Sequence, residues 1–237
     1  MIQTCVDRLL RPLSPRAYTP GATRERVRLA ALRAKLWPPH QRVLHVRFLG
    51  GDPRLHAKIA RFAAEWQRYG NITLVFDNAP DAPIRVAFEP GPSWSLVGVD
   101  ALDPLLPPDA PTMNFGWLTP ATPNDEVAAV ALHEFGHALG LVHEHQSPAA
   151  AIPWNRAAVY DFYSGPPNYW SRDEIERNVF ERYSATQTNH SAFDPHSIML
   201  YPIPKELTDG VFAIGLNRTL SPTDKAHMAA IYPFAGP

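Results

Sequence analysis

The stretch from His133 to His143 constrains this chain more than any other segment. His133 and His137 stand four residues apart, with Glu134, Phe135 and Gly136 between them. On a helix that spacing puts the two imidazoles about 40° apart around the axis and one turn apart along it, so both can face one point. His143 is ten residues beyond His133, and would sit roughly 15 Å further on if the helix simply continued. Gly140 interrupts that line. A glycine enters the left-handed backbone region at little cost, ends the helix and turns the chain, which lets His143 come round to the same point.

Three imidazoles meeting at one point make a metal site. Zinc accepts nitrogen ligands at roughly 2.0 to 2.1 Å, and three neutral histidines leave a fourth position for water, as catalytic sites do, whereas structural sites favour four protein ligands, mostly cysteine. Zinc brings the pKa of a bound water towards about 7, and Glu134, beside a ligand on the same helix, can take the proton. The expectation is one catalytic zinc ion on His133, His137 and His143 with Glu134 as general base and no covalent enzyme intermediate. His40, His45, His56, His145, His190, His196 and His227 share no such spacing and are read as surface or packing residues.

The helix that carries the motif has a readable start. Thr122 can cap it, Pro123 fits its first turn, Asp125 favours its N-terminal end, and it runs to about Leu139. Upstream are β-rich runs at residues 42–48, 72–76, 84–88, 94–99 and 112–118. Between the first two, Leu55, Ile59, Phe62, Ala63 and Trp66 recur at helical intervals and give a buried face to a helix over residues 52–69. A strand, crossover helix, strand unit connects parallel strands. The fold class is therefore α+β, with a mixed, mostly parallel, twisted five-stranded sheet and helices on its inner face. A loop-rich C-terminal part follows, with helices at residues 154–162 and 172–183 and a terminal helix opened by Ser221 and Pro222 that reaches Tyr232. Residues 1–40 read as an N-terminal segment with one helix at 23–36, and residues 41–237 as the catalytic domain, divided into subdomains 41–140 and 141–237.

Composition excludes several classes. The net charge of -1 comes from interspersed Lys, Arg, Asp and Glu, so no electrostatic footprint for nucleic acid is present. No apolar run approaches the roughly 18 residues that a membrane span needs. The start, MIQTCVDRLLRPLSP, lacks the apolar core of a secretory signal, so the expectation is a cytoplasmic protein or one exported by a non-classical route. Cys5 is the only cysteine, which excludes an intrachain disulfide. It is read as a small inert residue; the sharper alternative places its thiolate on the zinc, with the N-terminal segment in the cleft. The run at residues 94–99 is the expected edge strand above the cleft, either a rail for an extended substrate or an edge covered by its own loop. The partner is a protein or peptide substrate and the chain a monomer. A zinc-stabilised binding module is the competing function, against which stands Glu134, a carboxylate that such a module would not need.

Taken together, His133-Glu134-x-x-His137-x-x-Gly140-x-x-His143 resembles the extended zinc signature of the metzincin metalloproteases, and the following Glu144-His145 is similar to the astacin branch. Ser197-Ile198-Met199-Leu200-Tyr201 resembles the Met-turn of that branch. The resemblance implies a zincin-like fold and a zinc metalloendopeptidase that hydrolyses peptide bonds of proteins through a metal-activated water. It implies Met199 as the apolar base beneath the histidines. It implies Tyr201 as a further zinc ligand that leaves the metal to hydrogen-bond the oxyanion, and Glu144 as an anchor for a chain terminus or helix. Three features depart from the family: Leu200 stands where it usually has histidine, one cysteine cannot form its common disulfides, and it is normally secreted with a prosegment.

Overall fold

The computed structural model describes residues 6–8, 35–147, 149–166, 168–182 and 193–234. Cys5, His190, most of the helix expected over 23–36 and the last residue of the one expected over 172–183 lie outside the described residues.

The sheet has six strands, of which β1 (Val6–Arg8) lies at one edge. Next to the opposite edge is β2 (Val43–Phe48), where alternation buries Leu44 and Val46. The chain then enters α1 (Pro53–Ala63). Asp52 caps that helix by accepting from the Arg54 backbone N-H at 2.8 Å, and Pro53 takes the first position, where no backbone donor is required. Leu55, Ile59 and Ala63 form its buried face, and a 3-10 turn at Ala64–Arg68 carries Trp66 into the same core. Next come β3 (Thr73–Val75), parallel to β2, and β4 (Ile84–Ala87), parallel on the other side of β2. β5 (Trp94–Leu96) runs antiparallel to β6 (Met113–Asn114), which pairs parallel with β4. The order is β1-β5-β6-β4-β2-β3. All five expected strands are present. The outer side of β5, expected to be open or covered by its own loop, is occupied by β1 in parallel register, Val6 opposite Trp94.

Against this sheet lies α2 (Asn124–Ala138), buried from Val127 to its end. Its start differs from the expected one by a residue or two. The Thr122 hydroxyl accepts from the Thr119 backbone N-H at 2.9 Å and so closes a turn instead of capping the helix. The flanking residue is Pro123, whose carbonyl accepts the first helical hydrogen bond from Val127. Asp125 and Glu126 supply the charge that favours this end.

The other end of α2 is fully bonded. A helix leaves its last carbonyls without internal partners, and here each has one. Leu141 N-H donates to Gly136 O at 3.0 Å and Gly140 N-H to His137 O at 2.8 Å, the paired bonds of a Schellman turn, with Gly140 at φ +92°. Side chains complete the set. Trp37 Nε1 donates to Ala138 O at 2.8 Å, and the Tyr232 hydroxyl donates to Leu139 O at 2.7 Å while accepting from the Trp37 backbone N-H. Burial pushes the Tyr232 phenol up to about 12, so it remains a donor across the ordinary pH range.

The C-terminal part has small cores of its own. α3 (Arg156–Ser164) is capped by Asn155, and α4 (Arg172–Ile175) by a capping box between Ser171 and Glu174. The latter continues as a π-helical turn, Glu176–Phe180. Val159, Tyr163, Trp170, Ile175, Val179 and Leu207 pack together here, while Leu200 packs with Ala150, Ile152 and Ile203. α5 (Pro222–Ile231) opens on a capping box between Ser221 and Asp224 and returns Met228, followed by Tyr232, to the main core. Among the described residues no helix is long and apolar enough to cross a membrane.

Trp37 supplies both apolar burial and the donor for Ala138 O. We expect Trp37→Ala to lower the unfolding free energy by about 3–5 kcal/mol. Trp37→Phe, which mainly orphans the carbonyl, should cost about 1–3 kcal/mol in the same urea titration. Equal stability of the three proteins would show that this end of α2 needs neither contribution.

Candidate metal centre

α2 brings His133 and His137 to one face, and the Gly140 turn brings His143 to meet them. The three Nε2 atoms form a nearly equilateral triangle: 3.2 Å from His133 to His143, 3.2 Å from His137 to His133 and 3.3 Å from His137 to His143. All three side chains are buried.

The second nitrogen of two of the rings settles what those apices carry. His133 Nδ1 lies 2.7 Å from the Ile198 carbonyl and His137 Nδ1 lies 3.0 Å from the Leu141 carbonyl. A carbonyl can only accept, so both Nδ1 atoms carry a hydrogen, the tautomer that in a neutral ring leaves Nε2 a lone pair for a metal. Lone pairs 3.2 Å apart repel unless a cation sits between them. Tetrahedral zinc at its usual Zn-N distance requires nitrogens about 3.3 to 3.4 Å apart. The donor set therefore fits zinc in spacing, tautomer and softness.

Met199 packs against α2 at Gly136, one residue before His137. A Cβ on Gly136 would come within 2.3 Å of the Met199 sulfur, so any side chain at this point of α2 would force the thioether to move. The turn around Met199 is held from behind. Ser197 Oγ and the Ile198 N-H donate to the two oxygens of Asp224, at 2.7 and 2.8 Å, and Ser221 N-H adds a bond of 2.8 Å at the start of α5. Burial pushes the Asp224 carboxyl up, opposed by these donors. From the front, Glu144 N-H donates to Met199 O at 3.1 Å. The Glu144 carboxyl accepts from the Asp194 N-H at 2.9 Å, and burial pushes it up to about 7.

Glu134 follows His133 on α2 and is buried beside it. Tyr201 is buried with its ring edge-on to His143, centroids 5.2 Å apart, and its hydroxyl lies 3.2 Å from His145 Nε2. The three histidines thus meet at one buried point, Tyr201 lies against His143, and Glu134 is buried in the helix next to His133. Three contributors were not identified in the sequence. Gly136 left a usable signal, since a glycine inside a helix costs about 1 kcal/mol and calls for a packing reason. Asp224 was visible only as a cap. His145, expected at the surface or in packing, is buried against Tyr201, and no spacing rule marks it.

Two solved structures of myroilysin are similar to this chain. One is 43% identical, covering 86% of this chain and 98% of the other, with a TM-score of 0.81. The second is 38% identical over 98% of this chain and 92% of the other, with a TM-score of 0.69. High choriolytic enzyme 1, a hatching enzyme zinc-protease from Oryzias latipes (medaka fish), shares the fold, with 16% identity over 84% of this chain and 94% of its own and a TM-score of 0.58. No family model and no curated protein matches. The sheet, the helix with its reversal and the histidine triangle define a metzincin-type zinc metalloprotease. Within that class the chain belongs to the astacin-like zinc metalloproteases, alongside myroilysin, and is a metalloendopeptidase.

If Gly136 is small because of Met199, Gly136→Ala should destabilise by about 1–3 kcal/mol through overpacking, and Gly136→Ala with Met199→Ala should cost clearly less than the two changes summed. Strict additivity in the urea midpoints would show that the two residues do not press on each other.

Proposed function

We propose that the chain hydrolyses internal peptide bonds of proteins at one zinc ion held by His133, His137 and His143. Glu134 is the general base, and Tyr201 serves as a further ligand in the resting site and as a donor to the oxyanion during turnover. The observation that carries this reading is the buried triangle of imidazole Nε2 atoms 3.2 to 3.3 Å on edge. Zinc bound there supplies an acidified water and polarises the scissile carbonyl.

The protein's own groups do the rest. Glu134 takes the water's proton on its carboxylate and later gives it to the departing amine nitrogen, acting first as base and then as acid. Its burial suits this, because a carboxylate away from bulk water is kept for the proton in hand. The Tyr201 hydroxyl donates to the oxygen that gains negative charge as the carbonyl is attacked. Ile198 O and Leu141 O hold two of the imidazoles in the tautomer and orientation that ligation requires.

The direct test is zinc analysis with a casein or peptide-library assay on the wild type and Glu134→Gln. Both proteins should contain zinc, and the variant's turnover should fall by about a hundred- to ten-thousand-fold. Equal turnover would remove Glu134 from the mechanism. For Tyr201→Phe the zinc content should stay and kcat should fall by about ten- to a hundred-fold with little change in KM; an unchanged kcat would count against the oxyanion role.

A further inference from the structure

Beyond the triangle, the contacts around Tyr201 point to a partner that the mechanism above does not use. His145 lies in the 3-10 turn Glu144–Gln146 that follows the third histidine, and only 1% of it is exposed. Its Nε2 is 2.8 Å from the Asn178 carbonyl and 3.2 Å from the Tyr201 hydroxyl oxygen, and the His145 and Tyr201 rings lie 4.6 Å apart.

The chemistry of these atoms fixes the direction of each bond. The Asn178 carbonyl can only accept, so Nε2 carries a hydrogen and donates it there. Nε2 has only that one hydrogen, so at 3.2 Å the phenol oxygen accepts the longer branch of a shared N-H, and its own hydrogen is directed away from the imidazole. The supporting carbonyl is placed by the π-helical turn. Glu181 N-H bonds five residues back to Glu176 O at 2.8 Å. The turn presents the Arg177 carbonyl to Gln146 Nε2, also at 2.8 Å, and the Asn178 carbonyl to His145. Single π turns inside helices are a recurrent device for aiming groups at functional sites.

We infer that His145 is the positioning residue for Tyr201: held by the π-turn carbonyl of Asn178, it fixes the phenol oxygen by donating to it, so that the phenol proton is aimed at the substrate's oxyanion. This rests on the oxyanion role given to Tyr201. A donor held in place once it has left the metal loses little to reorganisation as charge develops, which is where such groups gain most of their effect. The imidazole also places the tyrosine without touching substrate.

A matched pair of variants tests it. His145→Gln keeps an N-H donor at similar reach, whereas His145→Met keeps the length and the packing but has no donor. With zinc content and thermal midpoint measured alongside, His145→Met should lower kcat by about ten-fold with KM within about two-fold, and His145→Gln should recover most of the loss. Adding His145→Met to Tyr201→Phe should lower kcat no further, because the imidazole acts only through the hydroxyl. Affinity for a phosphinic pseudopeptide, a tetrahedral mimic whose binding does not depend on turnover, should fall in the same pattern. Full kcat in His145→Met would overturn the proposal, as would equal losses in the Met and Gln variants or an additive loss in the double variant. If Tyr201→Phe itself keeps full kcat, the oxyanion role of the tyrosine has failed instead, which is a separate result.

Discussion

Three neutral imidazoles that turn their Nε2 atoms to one another at 3.2 to 3.3 Å, two of them with the hydrogen on Nδ1, are an unfavourable arrangement in the absence of a cation. Burial makes the repulsion worse, since little solvent reaches the rings to screen it. The fold must hold the rings against that repulsion, and much of the surrounding structure serves this purpose. Ile198 O and Leu141 O fix two rings through their Nδ1 atoms. The Schellman turn at Gly140, backed by Trp37 and Tyr232, fixes the path by which the third returns. Binding of a divalent cation then converts the local penalty into folding stability, because the unfolded chain has no such preformed set.

The support comes from segments far apart in the sequence. Trp37 lies between β1 and β2, α2 follows the last strand, the Met199 turn lies some sixty residues beyond, on the order of a further subdomain of chain, and Tyr232 closes the C-terminus of α5. Asp224 joins the last two by accepting from Ser197, Ile198 and Ser221 together. The residues up to Gly140 thus supply the helix, while the later ones supply the turn packed on it and the tyrosine beside His143. The β1 strand adds a further element by covering the outer side of β5, so an extended peptide can pair with that edge only where β1 has left it.

Most of the fold was legible because its elements follow local rules. Alternation marks β2, helical spacing marks α1 with Leu55 and Ile59, and Ser221 followed by Asp224 marks the start of α5. The three histidines were legible for a similar reason, since helix geometry and one glycine dictate their convergence. The start of α2 was less so: Thr122 has cap chemistry, yet its hydroxyl closes a turn with Thr119, and sequence alone does not decide between two local hydrogen bonds of similar strength. Pairing of β1 with β5 and the contact of His145 with Tyr201 join residues 88 and 56 positions apart. No periodicity carries such information, because these contacts depend on the assembled sheet and on the π-helical turn.

The claim at the centre is that three imidazoles and no other protein side chain but a displaceable tyrosine complete the zinc shell. X-ray absorption at the zinc edge of the purified full chain addresses this directly. The expected spectrum shows three imidazole nitrogens at about 2.0 to 2.1 Å with the remaining scattering from oxygen. Sulfur in the first shell, or fewer than three imidazoles, would contradict the account.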